Sequence, residues 1–167
     1  MRKAFASAVF ACTLLAVSAR PQSKQSQVGT WKMDASQSDF GSDPAPKSVT
    51  VTVLKDTPEM FSYRVQVVDD KGESNSYSWS GPPDGTIHPV MKNGKEVFKQ
   101  SEKREEDGSI LGHTESDGSS TDARIKMSDD GNTITEEITT KAKDGKELKQ
   151  KITYHRVTEK KDPKKAG

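Results

Sequence analysis

The chain has 167 residues, with 26 Lys and Arg against 25 Asp and Glu and a formal net charge of +1, which suits one domain and identifies no partner by charge. Acidic and basic residues are interspersed, so the basic face that a nucleic acid requires is missing. Cys12 is the one cysteine and falls in the leader described next; the remaining chain therefore has no disulfide, no cysteine nucleophile and no thiolate metal site.

The chain opens with Met1-Arg2-Lys3, a short basic stretch, followed by an apolar run from Ala4 to Ala19 that ends on the small residues Val17-Ser18-Ala19. A basic start, a compact apolar core and an A-x-A-like end describe a secretory leader over residues 1–19. The run is shorter than the roughly 20 residues that span a bilayer, so it reads as a leader rather than an anchor. Lipidation at Cys12 fits poorly, because Phe10 is bulky where small residues are usual and the apolar run continues through Leu14-Leu15-Ala16-Val17. Cleavage leaves no further membrane-spanning segment and implies a secreted or periplasmic protein. It also removes Arg2 and Lys3, so the 26 basic residues become 24 against 25 acidic ones, a net of −1.

Residues 20–27 are polar and expected to be flexible, and the β domain is expected over 28–157. Val28-Gly29-Thr30-Trp31-Lys32-Met33 reads as a first strand, and Asp34 to Pro46 as a turn-rich connection holding Phe40 and Gly41. Then Val49, Val51 and Val53 alternate with Thr50 and Thr52, while Phe61, Tyr63, Val65 and Val67 alternate with Ser62, Arg64 and Gln66. Tyr77 and Trp79 alternate with Ser76, Ser78 and Ser80. This period of two marks strands with one face buried, and β-branched and aromatic residues suit such a surface.

Later strands open at Val97-Phe98 and Ile110-Leu111. Ala123, Ile125 and Met127 share a face, as do Ile134 and Ile138, and Leu148, Ile152 and Tyr154. Between the strands stand Asp70-Lys71-Gly72, Pro83-Asp84-Gly85, Asn93-Gly94, Asp107-Gly108, Asp117-Gly118, Asp130-Gly131 and Asp144-Gly145, of the kind that turns hairpins. The expectation is all-β: about ten antiparallel strands in an up-and-down meander, which closure into a barrel would free of exposed edges. The polar stretch 158–167, with its Lys160-Lys161-Asp162-Pro163-Lys164-Lys165 run, reads as a disordered tail.

Gly29-Thr30-Trp31-Lys32 resembles the Gly-x-Trp opening of the lipocalin and fatty-acid-binding-protein group. The chain is more similar still to small secreted bacterial proteins described as lipocalin-like. That likeness rests on Ser38-x-Phe40, Pro46-Lys47-Ser48, His88-Pro89-Val90, Asp130-Gly131-Asn132-Thr133-Ile134, Asp144-Gly145-Lys146 and the closing Tyr154-His155-Arg156-Val157. The resemblance implies a calycin-type barrel. It also implies that Trp31 packs under Arg156, so that first and last strands meet at the barrel floor. It does not extend to fatty-acid binding. The connection after Asp34 is too short for a helical lid, a Thr-Asp-Tyr motif is missing, and Tyr154 precedes Arg156 where an Arg-x-Tyr is usual.

Catalytic and metal chemistry find little support. His88, His113 and His155 are scattered, without the convergent spacing zinc requires. Ser78-Trp79-Ser80-Gly81 is a strand face and not a nucleophile elbow. The clusters Glu105-Glu106-Asp107, Asp129-Asp130 and Glu136-Glu137 carry no spacing that fixes a carboxylate pair, and Asp129-Asp130-Gly131-Asn132 reads as a type I′ turn, not a calcium loop. No catalytic residue, metal or cofactor is therefore expected.

Phe61, Tyr63, Tyr77 and Trp79 lie on apolar faces of successive strands, where they form either plain core or one wall of a ligand cavity. The leading expectation is an exported, non-catalytic barrel that binds a small apolar or amphipathic ligand. The alternative is an envelope or extracellular interaction protein whose barrel is filled by its own side chains.

Overall fold

A computed structural model describes residues 25–158. The leader, Cys12, residues 20–24 and the tail from residue 159 onward lie outside them. The described residues form ten antiparallel strands: β1 (Gly29–Met33), β2 (Ser48–Asp56), β3 (Phe61–Val68), β4 (Ser74–Gly81), β5 (Asp84–Lys92), β6 (Lys95–Arg104), β7 (Ile110–Ser116), β8 (Ser119–Met127), β9 (Thr133–Lys141) and β10 (Glu147–Arg156). Each pairs with its sequence neighbours, and β1 pairs with β10, so the meander closes into a barrel. Among the described residues no helix is long and apolar enough to cross a membrane.

Alternation sets the inner face. Tyr63 lies opposite Trp79 and Val65 opposite Tyr77, so the aromatic faces of β3 and β4 point the same way. The apolar core gathers Trp31, Val53, Phe61, Trp79, Val90, Ile110, Ile134, Ile152 and Tyr154. Threonines, serines and charged residues occupy most alternate positions outside.

Two of the expected hairpin turns have positive φ at both central residues, at Asn93-Gly94 (52° and 77°) and Asp117-Gly118 (50° and 81°), the backbone of type I′ turns. The turn at Asp129–Asn132 differs from expectation. Of its residues only Gly131 has a positive φ, 68°, and its N–H donates to the Ser128 carbonyl, so this is not a type I′ turn. Asp84-Gly85 lies inside β5, where the register shifts against β6.

Two seams are thin. β4 and β5 pair only through Tyr77–Lys92 and Ser78–Met91. Pro89 of β5 has no N–H to give to a ladder, and prolines in sheets keep to such places. β1 is half the length of β10, and the connection after it supplies what β1 cannot. A short 3-10 turn (Ala35–Gln37) leads Asp39 into a bridge with Lys151, N–H to carbonyl in both directions at 2.7 and 2.8 Å. The Thr153 N–H donates to Ser38 Oγ, and Gln150 Nε2 to the Phe40 carbonyl. The segment read as a turn-rich connection is thus a strap along β10.

Candidate functional site

The barrel is closed at the end where the chain enters and leaves it. Trp31 on β1 and Arg156 on β10 are register partners, and the Arg156 guanidinium carbon lies 4.1 Å from the Trp31 ring centroid. The guanidinium also donates to three carbonyls: Nε to Gly131, Nη1 to Val28 and Nη2 to Ser26. One planar fork therefore ties the first strand, the last strand and the β8–β9 turn together. Gly29 explains the spacing of the Gly-x-Trp opening. Its φ is 140°, and a Cβ there would lie 2.8 Å from Arg156 Nη1, so only glycine leaves room for the stack.

Gln27, placed by its polarity in the flexible N-terminal stretch, completes this floor. It is 3% exposed, its N–H donates to Asp56 Oδ2, and its carbonyl accepts from Trp31 Nε1 at 2.8 Å. Asp56 also pairs with Arg104, whose guanidinium lies over the Phe61 ring. Burial decreases toward the opposite end, where Val67, Tyr77, Phe98 and Ile138 are only half-buried.

Above the floor the inner face leaves a cavity of about 290 Å³. Phe61, Tyr63 and Tyr77 line it, together with Val51, Phe98, Ala123 and Ile138. Trp79, the fourth aromatic of the candidate wall, does not. Its ring is stacked with Tyr63 at 6.0 Å between centroids, tilted against Phe61 at 6.4 Å and edge-on to His88 at 5.8 Å, so it belongs to the packing of β3 to β5. The stretch of cavity wall nearest the β5–β9 strands comes from residues the aromatic pattern did not point to.

Part of that wall is polar. Gln100 and Glu102 of β6 and Glu136 of β9 face the cavity with Thr114 and Thr121. Tyr63 Oη donates to Glu102 Oε1 at 3.0 Å and accepts from Gln100 Nε2 at 2.9 Å; Gln100 Nε2 also reaches Glu102 Oε1. Thr114 Oγ1 donates to Gln100 Oε1 at 3.3 Å. Between β10 and β9 Tyr154 Oη donates to Glu136 Oε2 at 3.0 Å. Glu102 is 0% exposed, and its Oε2 has no hydrogen-bond partner among the described residues. Its register partner is Gly112, where a Cβ would stand 3.3 Å from that oxygen, so glycine makes space for the carboxyl.

Burial penalises the charged carboxylate and raises Glu102 to about 7 against the hydrogen bonds from Tyr63 and Gln100, with a further upward push from the Glu136 charge. Burial raises Glu136 in the same direction, opposed by the Tyr154 hydroxyl. Burial, then the neighbouring carboxyls, lift both tyrosines well above their ordinary value.

The three histidines stand on separate strands. His88 meets Trp79 and Thr86, His113 lies between Asp122 (2.7 Å) and Glu115 (3.6 Å), and His155 reaches Asp34 at 3.3 Å. Among the described residues no group of three His, Cys, Asp or Glu side chains is placed to hold a metal ion.

No protein-family model and no curated protein matches the sequence. The structure is similar to solved structures of the fluorescent protein UnaG. A variant with an asparagine replaced by alanine is 16% identical, with a TM-score of 0.54 over 79% of this chain and 96% of that one. The wild type is 15% identical, with a TM-score of 0.51 over 78% and 96%. The fold is a calycin-like barrel.

Proposed function

We propose that the protein is an exported, non-catalytic barrel that holds one small apolar or amphipathic ligand in its interior. The observation that carries this reading is the cavity of about 290 Å³, close to the lower end of the volumes that hold small molecules. Valine, isoleucine and aromatic side chains make most of its wall, and a few polar side chains interrupt it. That combination gives affinity through apolar burial and orientation through a few hydrogen bonds.

The competing reading, an interaction protein with a side-chain-filled interior, is disfavoured by the same volume. Catalysis has no support in the arrangement, because the cavity's polar groups bond mainly to one another. Export rests on the Met1-Arg2-Lys3 start and the apolar run to Ala19.

Native mass spectrometry of protein purified from its own host is the test. A bound species of small added mass, released on unfolding, is the expected result. A bare mass, combined with no uptake of any compound from a lipid extract of that host, would overturn the reading.

A further inference from the structure

The cavity's polar chemistry is one-sided. Its acidic groups are the carboxyls of Glu102 and Glu136, and among the described residues no Lys, Arg or His lines it. Most of its donors are engaged within the protein: the Tyr63 hydroxyl and the Gln100 amide on Glu102, the Tyr154 hydroxyl on Glu136, the Thr114 hydroxyl on Gln100 and the Thr121 hydroxyl with Thr140, while the Gln27 amide lines the floor end of the wall. What remains without a partner is Glu102 Oε2, an acceptor once the carboxyl is ionised, on a side chain wholly shielded from bulk water.

Two carboxyls on a mostly apolar wall are costly for folding, because neither has a cation to offset its desolvation. An unpaired buried acceptor adds to that cost. Buried titratable groups in this state cluster at functional sites.

Resting on the proposed function, we propose that the ligand is a cationic amphiphile: an apolar body with a protonated nitrogen whose N–H groups are taken by Glu102 and Glu136. An ammonium supplies what the wall lacks, both a positive charge and hydrogen-bond donors. Its apolar body lies along Val51, Phe61, Tyr77 and Phe98. A carboxylate of the same size meets two acids and no cation, so fatty acids are poor ligands. The raised pKa of Glu102 agrees with this, since a cation beside it restores the charged form and sends its proton to solvent.

The experiment uses the full chain and three probes of one length, decylamine, 1-decanol and decanoate, each kept below its micelle concentration. Binding is read by displacement of the neutral fluorophore N-phenyl-1-naphthylamine at pH 7.5. Decylamine is expected to bind about tenfold or more tighter than decanoate, with decanol between them, as charge-assisted hydrogen bonds imply. Glu102→Gln and Glu136→Gln should each weaken decylamine while leaving decanol within about threefold.

Equal or tighter binding of decanoate overturns the proposal but leaves the cavity's ligand-binding role standing. So does an amine affinity indifferent to both substitutions. The comparison of amine with carboxylate in the unsubstituted protein needs no variant to fold. Failure of all three probes and the fluorophore removes the ligand-binding reading, and this proposal with it.

Discussion

Arg156 lies over the Trp31 indole at 4.1 Å and simultaneously closes three carbonyls at the barrel floor. Trp31 is 0% exposed while Arg156 is half-buried, so the stack is partly desolvated and the cation–π attraction falls between about 0.5 and 2 kcal/mol. Trp31→Ala should cost about 3–5 kcal/mol as a large core truncation, a large fraction of an ordinary domain's stability. The milder Trp31→Phe and Arg156→Ala allow a double-mutant cycle by urea denaturation. Their costs should fail to add by at least about 0.5 kcal/mol, because the residues touch. Simple additivity would mean that the stack contributes nothing.

Glu102 makes stability depend on pH in a definite direction. Its carboxyl titrates near 7 in the folded barrel against 4.5 for the free group, so between those values the folded state holds a proton that the unfolded state has lost. The favourable contribution is fully present below pH 4.5 and is lost as pH rises through 7, in total about 3 kcal/mol for the wild type relative to Glu102→Gln. Asp107, held down to about 2 by the Ser109 hydroxyl, works in the opposite direction and only in acid, and it cancels in the comparison. Urea midpoints for both proteins from pH 4.5 to 7.5 check this. A wild-type-minus-variant difference that stays flat across that window would contradict it.

Export makes a separate prediction. Amino-terminal sequencing of protein recovered outside the cytoplasm should begin near Arg20, after Val17-Ser18-Ala19. An intact Met1 or a lipid on Cys12 would contradict it.

The barrel was legible because its signals are local. Valines at 49, 51 and 53 and the aromatics at 61, 63, 77 and 79 state the strand period without tertiary context. Asn93-Gly94 and Asp117-Gly118 state their turn type in two residues. Asp130-Gly131 misled because an Asp-Gly pair also suits turns in which only glycine takes a positive φ.

The polar half of the cavity was present in the same alternation and was passed over. Phe98, Gln100 and Glu102 share one face of β6, and Glu136 stands between Ile134 and Ile138 on one face of β9. Apolar residues announce an inner face, whereas a glutamate in the same register reads as surface until the strands on either side are known. Trp79 failed in the opposite way: its position faces inward, but three neighbouring rings occupy its surroundings. The strap after β1 had no periodicity at all, because side-chain and single-bridge hydrogen bonds hold it.

The most direct measurement of whether the interior is a binding site is fluorophore titration of the wild type beside Ala123→Phe. Ala123 lines the cavity from β8, and a phenyl ring there takes up part of the volume a ligand needs. The wild type should bind N-phenyl-1-naphthylamine with one-to-one stoichiometry and a blue-shifted emission. Ala123→Phe should keep the strand circular dichroism spectrum and lose about tenfold or more in affinity, the scale set by 1.4 kcal/mol. Equal binding by both folded proteins, or none by the wild type, would contradict the account.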